Sequence, residues 1–419
     1  SGGLELWSTV KRDVLGDFTG YTVPVIVLRK ETPREAVCTV FEKVNTGGIV
    51  LDVFELLTAT FAASEFDLRQ DWEERRKRLD EHKVLRGIQS TDFLQAISLL
   101  ATLERRNNWQ AGDSDKPPAV SCKRRDILRL TREEYERWAP EVEKGFLWAA
   151  TFLTGEMIFE SRDVPYRTQL VPLAAINVAL GSGAEAIGKV EKIRRWYWCG
   201  VLGELYGGAI ETRFANDLQQ VVEWCGGATA EPITVYESSF DPGRLLTLRT
   251  RNSAAYKGMY ALLMKGGSRD WLYDQDITIA THHSLAVDIH HVFPKKWCSD
   301  NKIDDLRRES IVNKTAISAA TNRKIGGQAP SKYLPKLQVE AETTEAELRD
   351  RVEQHHIRYD LLAADDFDGY FEARRQRLLE LIVDAMGKAI PELAVPSIPE
   401  DYDLDEEELS DSDAVEMSA

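Results

Sequence analysis

Thiols are scarce in this chain and follow no binding pattern. Cys38, Cys122, Cys199, Cys225 and Cys298 are odd in number, widely spaced and never form a CxxC. This argues against a disulfide scaffold, and no structural zinc is expected, because no matched Cys set and no HxxxH spacing occurs. A reducing, cytoplasmic location fits. Long apolar runs are missing too. Stretches such as 170–180 are too short to span a bilayer, so no membrane partner is expected. The N-terminal SGGLELWSTVKRD has no apolar signal core and begins with Ser rather than Met, as in a fragment or a chain carrying a tag scar. Compositional bias is also absent. At 43% apolar and 29% charged over 419 residues, collagen-like and disordered chains are excluded, and the length suits two or three globular domains.

Positive charge is in deficit: the formal net charge is -16. The deficit is not uniform. Residues 400–419 hold ten acids and no Lys or Arg, which leaves about -6 for the rest. That tail has no apolar periodicity and is expected to be disordered, acting as a solubilising segment or docking on a basic patch. From Val287 to Lys332 the sign reverses, with nine basic residues against five acidic ones.

Along the chain, residues 21–28 (YTVPVIVL) read as a strand. A helix starting at Thr32-Pro33 follows and stops at Asn45-Thr46-Gly47-Gly48. Asp52 with Glu55 opens the next helix, and Thr131 with Glu134 makes another capping box. Residues 65–240 are mainly helical by periodicity, interrupted by a loop at 107–121. Trp196, Tyr197, Trp198 and Tyr206 read as core between helices. Further helices are expected at 344–362 and 367–386. Lys116, Lys123, Arg124 and Arg125 form a second basic group, read as a solvated face.

Six of the seven histidines lie beyond residue 241, as the pairs His282-His283, His290-His291 and His355-His356. The first is read as a loop and the last as a helix tail. The segment AVDIHHVFP (286–294) alternates like a strand, placing Asp288 and His290 on one face and Val287, Ile289, His291 and Phe293 on the other. A polar loop leads to SIVNKTAIS (310–318), a second strand-like run with Asn313 in its middle. AATNRKIGG (319–327) then reads as a short helix carrying Asn322.

This order of strand, loop, strand and helix, with HH, N and N at those places, resembles the HNH, or ββα-metal, nucleases. The resemblance implies a metal-dependent DNA endonuclease. His291 would be the general base, since neutral imidazole takes a proton near pH 7. His290 and Asn322 would hold one divalent ion, Mg²⁺ or Mn²⁺, with open positions for water and phosphate oxygens. Asn313 would hold the loop and orient the base, and Asp288 would support His290 from behind. Arg323, Lys314, Lys324, Lys295 and Lys296 would meet DNA phosphates.

The wider chain resembles the GmrSD-type restriction family, which includes SspE-like phage-defence effectors. VFEKVNTGGIVLDVFELL (40–57), RWYWCGVLGELYGG, ETRFANDL and YKGMYALLMKGGSRDWL carry that likeness. It implies a mostly helical α+β chain with four parts. Residues 1–70 would be the C-terminal part of a ParB-like domain, 71–240 a helical middle region, 241–395 the HNH domain and 396–419 the acidic tail. Asn45, Thr46 and Gly47 would be a nucleotide motif or merely a turn. The family's Asp-Gly-Gln-Gln-Arg motif is absent, so nucleotide hydrolysis cannot be read from these residues. Implied partners are phage or modified DNA, a second copy of the chain and other defence-system proteins. The alternative is a DNA-binding or regulatory module whose HNH fold no longer cuts.

Overall fold

Local capping signals set where the helices begin. The computed structural model describes residues 52–110, 116–208 and 210–390, together with 3, 7–9 and 11. The expected strand at 21–28, the turn Asn45-Thr46-Gly47 and the acidic tail lie outside the described residues. Asp52 caps the Val53–Ala62 helix, its carboxylate accepting from the Glu55 N–H at 2.8 Å. Thr131 and Glu134 close a reciprocal capping box at the head of the Arg132–Gly155 helix. That helix buries Tyr135, Ala139, Val142, Phe146 and Leu153, the spacing that puts one stripe toward a core.

The stripe packs on the Leu170–Leu180 helix, which also meets the Ser90–Asn107 and Glu211–Cys225 helices. Leu170 to Ile176 are buried on every side, as expected of a central helix. Gly145 permits the crossing: a Cβ there would stand 2.7 Å from the Ala174 carbonyl oxygen. Trp196, Tyr197, Trp198 and Tyr206 are buried, as their density suggests. The four described cysteines are free and buried.

Among the described residues the fold is mostly helical with one small antiparallel sheet. Its strands are β1 (Val287–His291) and β2 (Lys314–Ser318), with Ile289 opposite Ala316 and His291 opposite Lys314. One apolar core, which includes Ile317 of β2, continues across the boundary expected at residue 240. The Ile187–Leu202 helix packs on both the Ala254–Lys265 and Phe367–Met386 helices. Polar ties reinforce that junction. Arg195 Nε donates to the Met386 carbonyl at 3.0 Å, and Lys388 Nζ donates to the carbonyls of Val235, Tyr236 and Ser238.

Three expected elements differ. The helix expected over 344–362 is two helices, Glu345–Glu353 and Tyr359–Ala363, because His356 between them has φ +61°. His282 and His283 lie on a short helix, Ile279–Ser284, rather than a loop. Residues 311–313 form a 3₁₀ turn, so Asn313 sits just before β2 and not within it. Among the described residues, no helix is long and apolar enough to cross a membrane.

Candidate functional site

Strand alternation sends His290 and His291 to opposite faces of the sheet. His291 shares its face with its cross-strand partner Lys314, and His290 shares the other with Thr315. β2 is buried throughout, whereas β1 is only partly covered after Val287. β1 thus stands at the rim, with its histidines at the boundary between core and solvent.

Asn313 fixes the chain as it leaves β1. Its side-chain oxygen accepts from the Phe293 N–H at 3.0 Å, and its amide nitrogen donates to the carbonyls of Phe293 and Arg308, both at 3.0 Å. Its own carbonyl accepts from Val292 N–H at 2.8 Å. A fully buried amide with this many partners holds both ends of the connecting loop at the base of β2.

Glu309 lies within that loop, at the C-terminal end of the short Asp305–Glu309 helix. Its Oε2 lies 3.1 Å from His291 Nε2 and 3.6 Å from Lys314 Nζ. Burial opposes ionisation of Glu309. The hydrogen bonds from His291 and Arg308 and the charge of Lys314 outweigh it and hold the carboxyl well below the usual range. An ionised carboxylate only accepts, so Nε2 is the protonated nitrogen of a neutral His291 and Nδ1 carries the lone pair. Burial lowers the His291 pKa, and Glu309 offsets this only in part. Lys314 is buried as well, and its pKa falls to about 8 despite the Glu309 charge. Its Nζ donates to the Arg249 carbonyl at 2.9 Å. Lys314 is expected on the DNA surface; the structure instead turns it inward to brace Glu309.

On the opposite face, burial, with the nearby His291 and Arg251 charges, lowers the His290 pKa to about 4. Its Nε2 is buried and has no hydrogen-bond partner among the described residues. Asp288 does not bond to His290. It forms an ion pair with Arg251, whose guanidinium also lies over the Tyr260 ring, 5.6 Å from its centroid.

Asn322 enters from the Ala319–Ile325 helix, which packs on both strands. Ser318 caps this helix through the Thr321 N–H at 3.1 Å, and Gly326 ends it at φ +52°. Asp270 clamps the strand-to-helix turn, accepting from Ser318 N–H at 2.7 Å and from the Thr321 hydroxyl at 2.8 Å. Asn322 is half-buried, and its side chain makes no hydrogen bond among the described residues.

The expected phosphate-binding cations are spread around this rim. Lys296 and Arg323 are exposed, and Lys296 lies along Gly327 just past the Asn322 helix. Lys324 is exposed but paired with Glu340 at 2.7 Å. Lys295 is half-buried and close enough to lower the His291 pKa. Sequence reasoning does not single out Glu309, Asp270 or Arg251. Glu309 stands four residues before Asn313, but nothing in its local pattern reveals that it faces His291.

The residues are chemically suited to a divalent ion. His290 offers a neutral imidazole nitrogen without a partner among the described residues, and Asn322 offers an amide oxygen. Among the described residues, no group of three or more His, Cys, Asp or Glu side chains is arranged to hold a metal. Any site here therefore rests on few protein ligands.

No family model matches the chain. It is similar to an uncharacterized protein of Methanocaldococcus jannaschii, 25% identical over 332 residues, which cover 76% of this chain and 53% of that protein. The chain thus spans about half the length of the curated relative it matches.

Proposed function

We propose that this chain is a metal-dependent endonuclease of the HNH type that hydrolyses DNA phosphodiester bonds in a restriction or anti-phage defence system. The observation that carries this reading is the pairing of a neutral His291, held through Nε2 by Glu309, with a buried and unpartnered His290 Nε2 on the opposite strand face. In this reading residues 241–395 form the nuclease part, 71–240 the helical middle and 1–70 the C-terminal part of a ParB-like domain.

His291 Nδ1 accepts the proton of the attacking water, and Glu309 stabilises the imidazolium that results. Asn313 keeps the Phe293 end of the loop and the Arg308 end in register, which fixes Glu309 against His291. His290 and Asn322 would hold Mg²⁺ or Mn²⁺, which would stabilise negative charge on the phosphate and leaving oxygens. Lys296 and Arg323 meet the DNA backbone at the rim.

The test is nicking of supercoiled plasmid in Mg²⁺ or Mn²⁺. His291→Ala is expected to lower the rate by about 10²–10⁴-fold with the fold intact. An H291A protein that nicks as fast as its parent overturns the reading. DNA binding by the parent chain without cleavage in any divalent metal favours the non-cleaving module instead.

A further inference from the structure

Lys123 and Arg125 of the second basic group lie on a wall of a cavity. The cavity has a volume of about 300 Å³ and is bounded by the C-terminal end of the Ser90–Asn107 helix, the segment around 119–125 and the first turns of the Glu211–Cys225 helix. Arg106, Lys123 and Arg125 line it from two separate elements, with Thr212 and Asn216 across from them and Glu211 as the acidic member. Arg106, distant in sequence, joins the group only through folding.

These cations are poorly neutralised. Arg106 donates to the Pro118 carbonyl at 3.2 Å, and neither it nor Lys123 meets a carboxylate among the described residues. Arg125 reaches Asp126 only at 3.4 Å and stays 67% exposed. Asp126 is itself engaged by the Ser121 hydroxyl at 2.6 Å. In the lining, these three cations stand against the single carboxylate of Glu211, in a chain with a net charge of -16. Three cations around one concavity repel one another, and one carboxylate offsets them only in part, which favours a bound anion.

We infer that this cavity is a second phosphate site, which takes the sugar–phosphate backbone of DNA away from the proposed nuclease centre. Naming DNA as the ligand rests on the nuclease reading. One feature favours backbone over a free nucleotide. Among the described residues, no aromatic ring lines the cavity, so a base has no stacking partner there. Thr212 and Asn216 add neutral donors, which position phosphate without reading sequence.

The experiment is fluorescence anisotropy of the full chain with a short labelled DNA duplex in EDTA, over a series of salt concentrations. K123A/R125A is expected to weaken binding about tenfold for all duplex sequences and to lower the salt slope by about two, one for each phosphate no longer neutralised. K123R/R125K is expected to restore both. Combining K123A/R125A with K296A/R323A is expected to multiply the two reductions in affinity, since the two patches are separate. Affinity and salt slope equal to the parent's in a normally folded K123A/R125A protein overturn the proposal. Binding of a nucleoside triphosphate without any binding of duplex also overturns it. Nicking is scored separately, so a chain that never cuts but loses duplex affinity in K123A/R125A sinks the nuclease reading and leaves this site standing.

Discussion

Glu309 Oε2 lies 3.1 Å from His291 Nε2, and the same carboxylate oxygen faces Lys314 Nζ at 3.6 Å. One acid therefore sets the tautomer of the histidine and is itself braced by a buried lysine. Glu309→Gln retains the shape but removes the charge that stabilises an imidazolium. A drop in kcat of about 10–100-fold with KM unchanged is expected in plasmid nicking. Equal kcat for E309Q and parent would show that Glu309 only fills space.

Asn313 is a structural clamp in addition to any catalytic part. Asn313→Ala leaves the Phe293 N–H and the carbonyls of Phe293 and Arg308 without their partners in a buried setting. The expected loss is about 2–4 kcal/mol, read as a shift of the urea midpoint at constant slope. A loss under about 0.5 kcal/mol would mean the loop is held by other interactions.

Asp270 should couple stability to the position of Asn322. Asp270→Ala deprives Ser318 N–H and the Thr321 hydroxyl of their acceptor at the head of the Asn322 helix. A destabilisation of about 1–3 kcal/mol is expected, together with weaker Mn²⁺ binding measured calorimetrically. Asp270→Asn keeps one acceptor and should lie between the two. Parent-like Mn²⁺ affinity in D270A would separate that helix from metal binding.

Acid should destabilise the fold through its interior histidines. Burial lowers the pKa of His282, His355 and His356 to about 4. Their folded values lie below the unfolded one, so the unfolded chain binds more protons in between. Stability is complete above roughly pH 6.5 and is lost as pH falls toward 4. Urea unfolding between pH 7.5 and about 5 should show the decline. His356→Asn is expected to flatten it while keeping the fold, since Asn accepts the positive φ at that position. A pH slope unchanged by H356N would contradict this assignment.

What can be read from the sequence is local. Asp52, Thr131 and the helix over 367–386 follow from side chains within a few residues of the ends they cap, and the tryptophans of 196–198 can only be core. The two-strand pairing follows from alternation and from the HH…N…N order. The break in the helix expected over 344–362 is hidden, because apolar spacing does not reveal that His356 adopts positive φ, nor that His355 is tied to Thr315 and to the Arg269 carbonyl. Lys314 looks like a surface cation because its burial is caused by Tyr256, Arg249 and Glu309, which lie elsewhere in the chain. Asp270 acts across 48 residues on Ser318, a distance over which no spacing rule operates.

The helix Ile187–Leu202 is gripped on one side by the Ala254–Lys265 helix and on another by the Phe367–Met386 helix. A protease therefore has no seam at residue 240 through which to release the strand pair as an independently folded piece. The amides of β2 should exchange with solvent only when the helices around Trp198 open too, in one cooperative unit. Any ligand seated near Lys123 would then stabilise the strands carrying His290 and His291 without touching them, simply by making that common opening rarer.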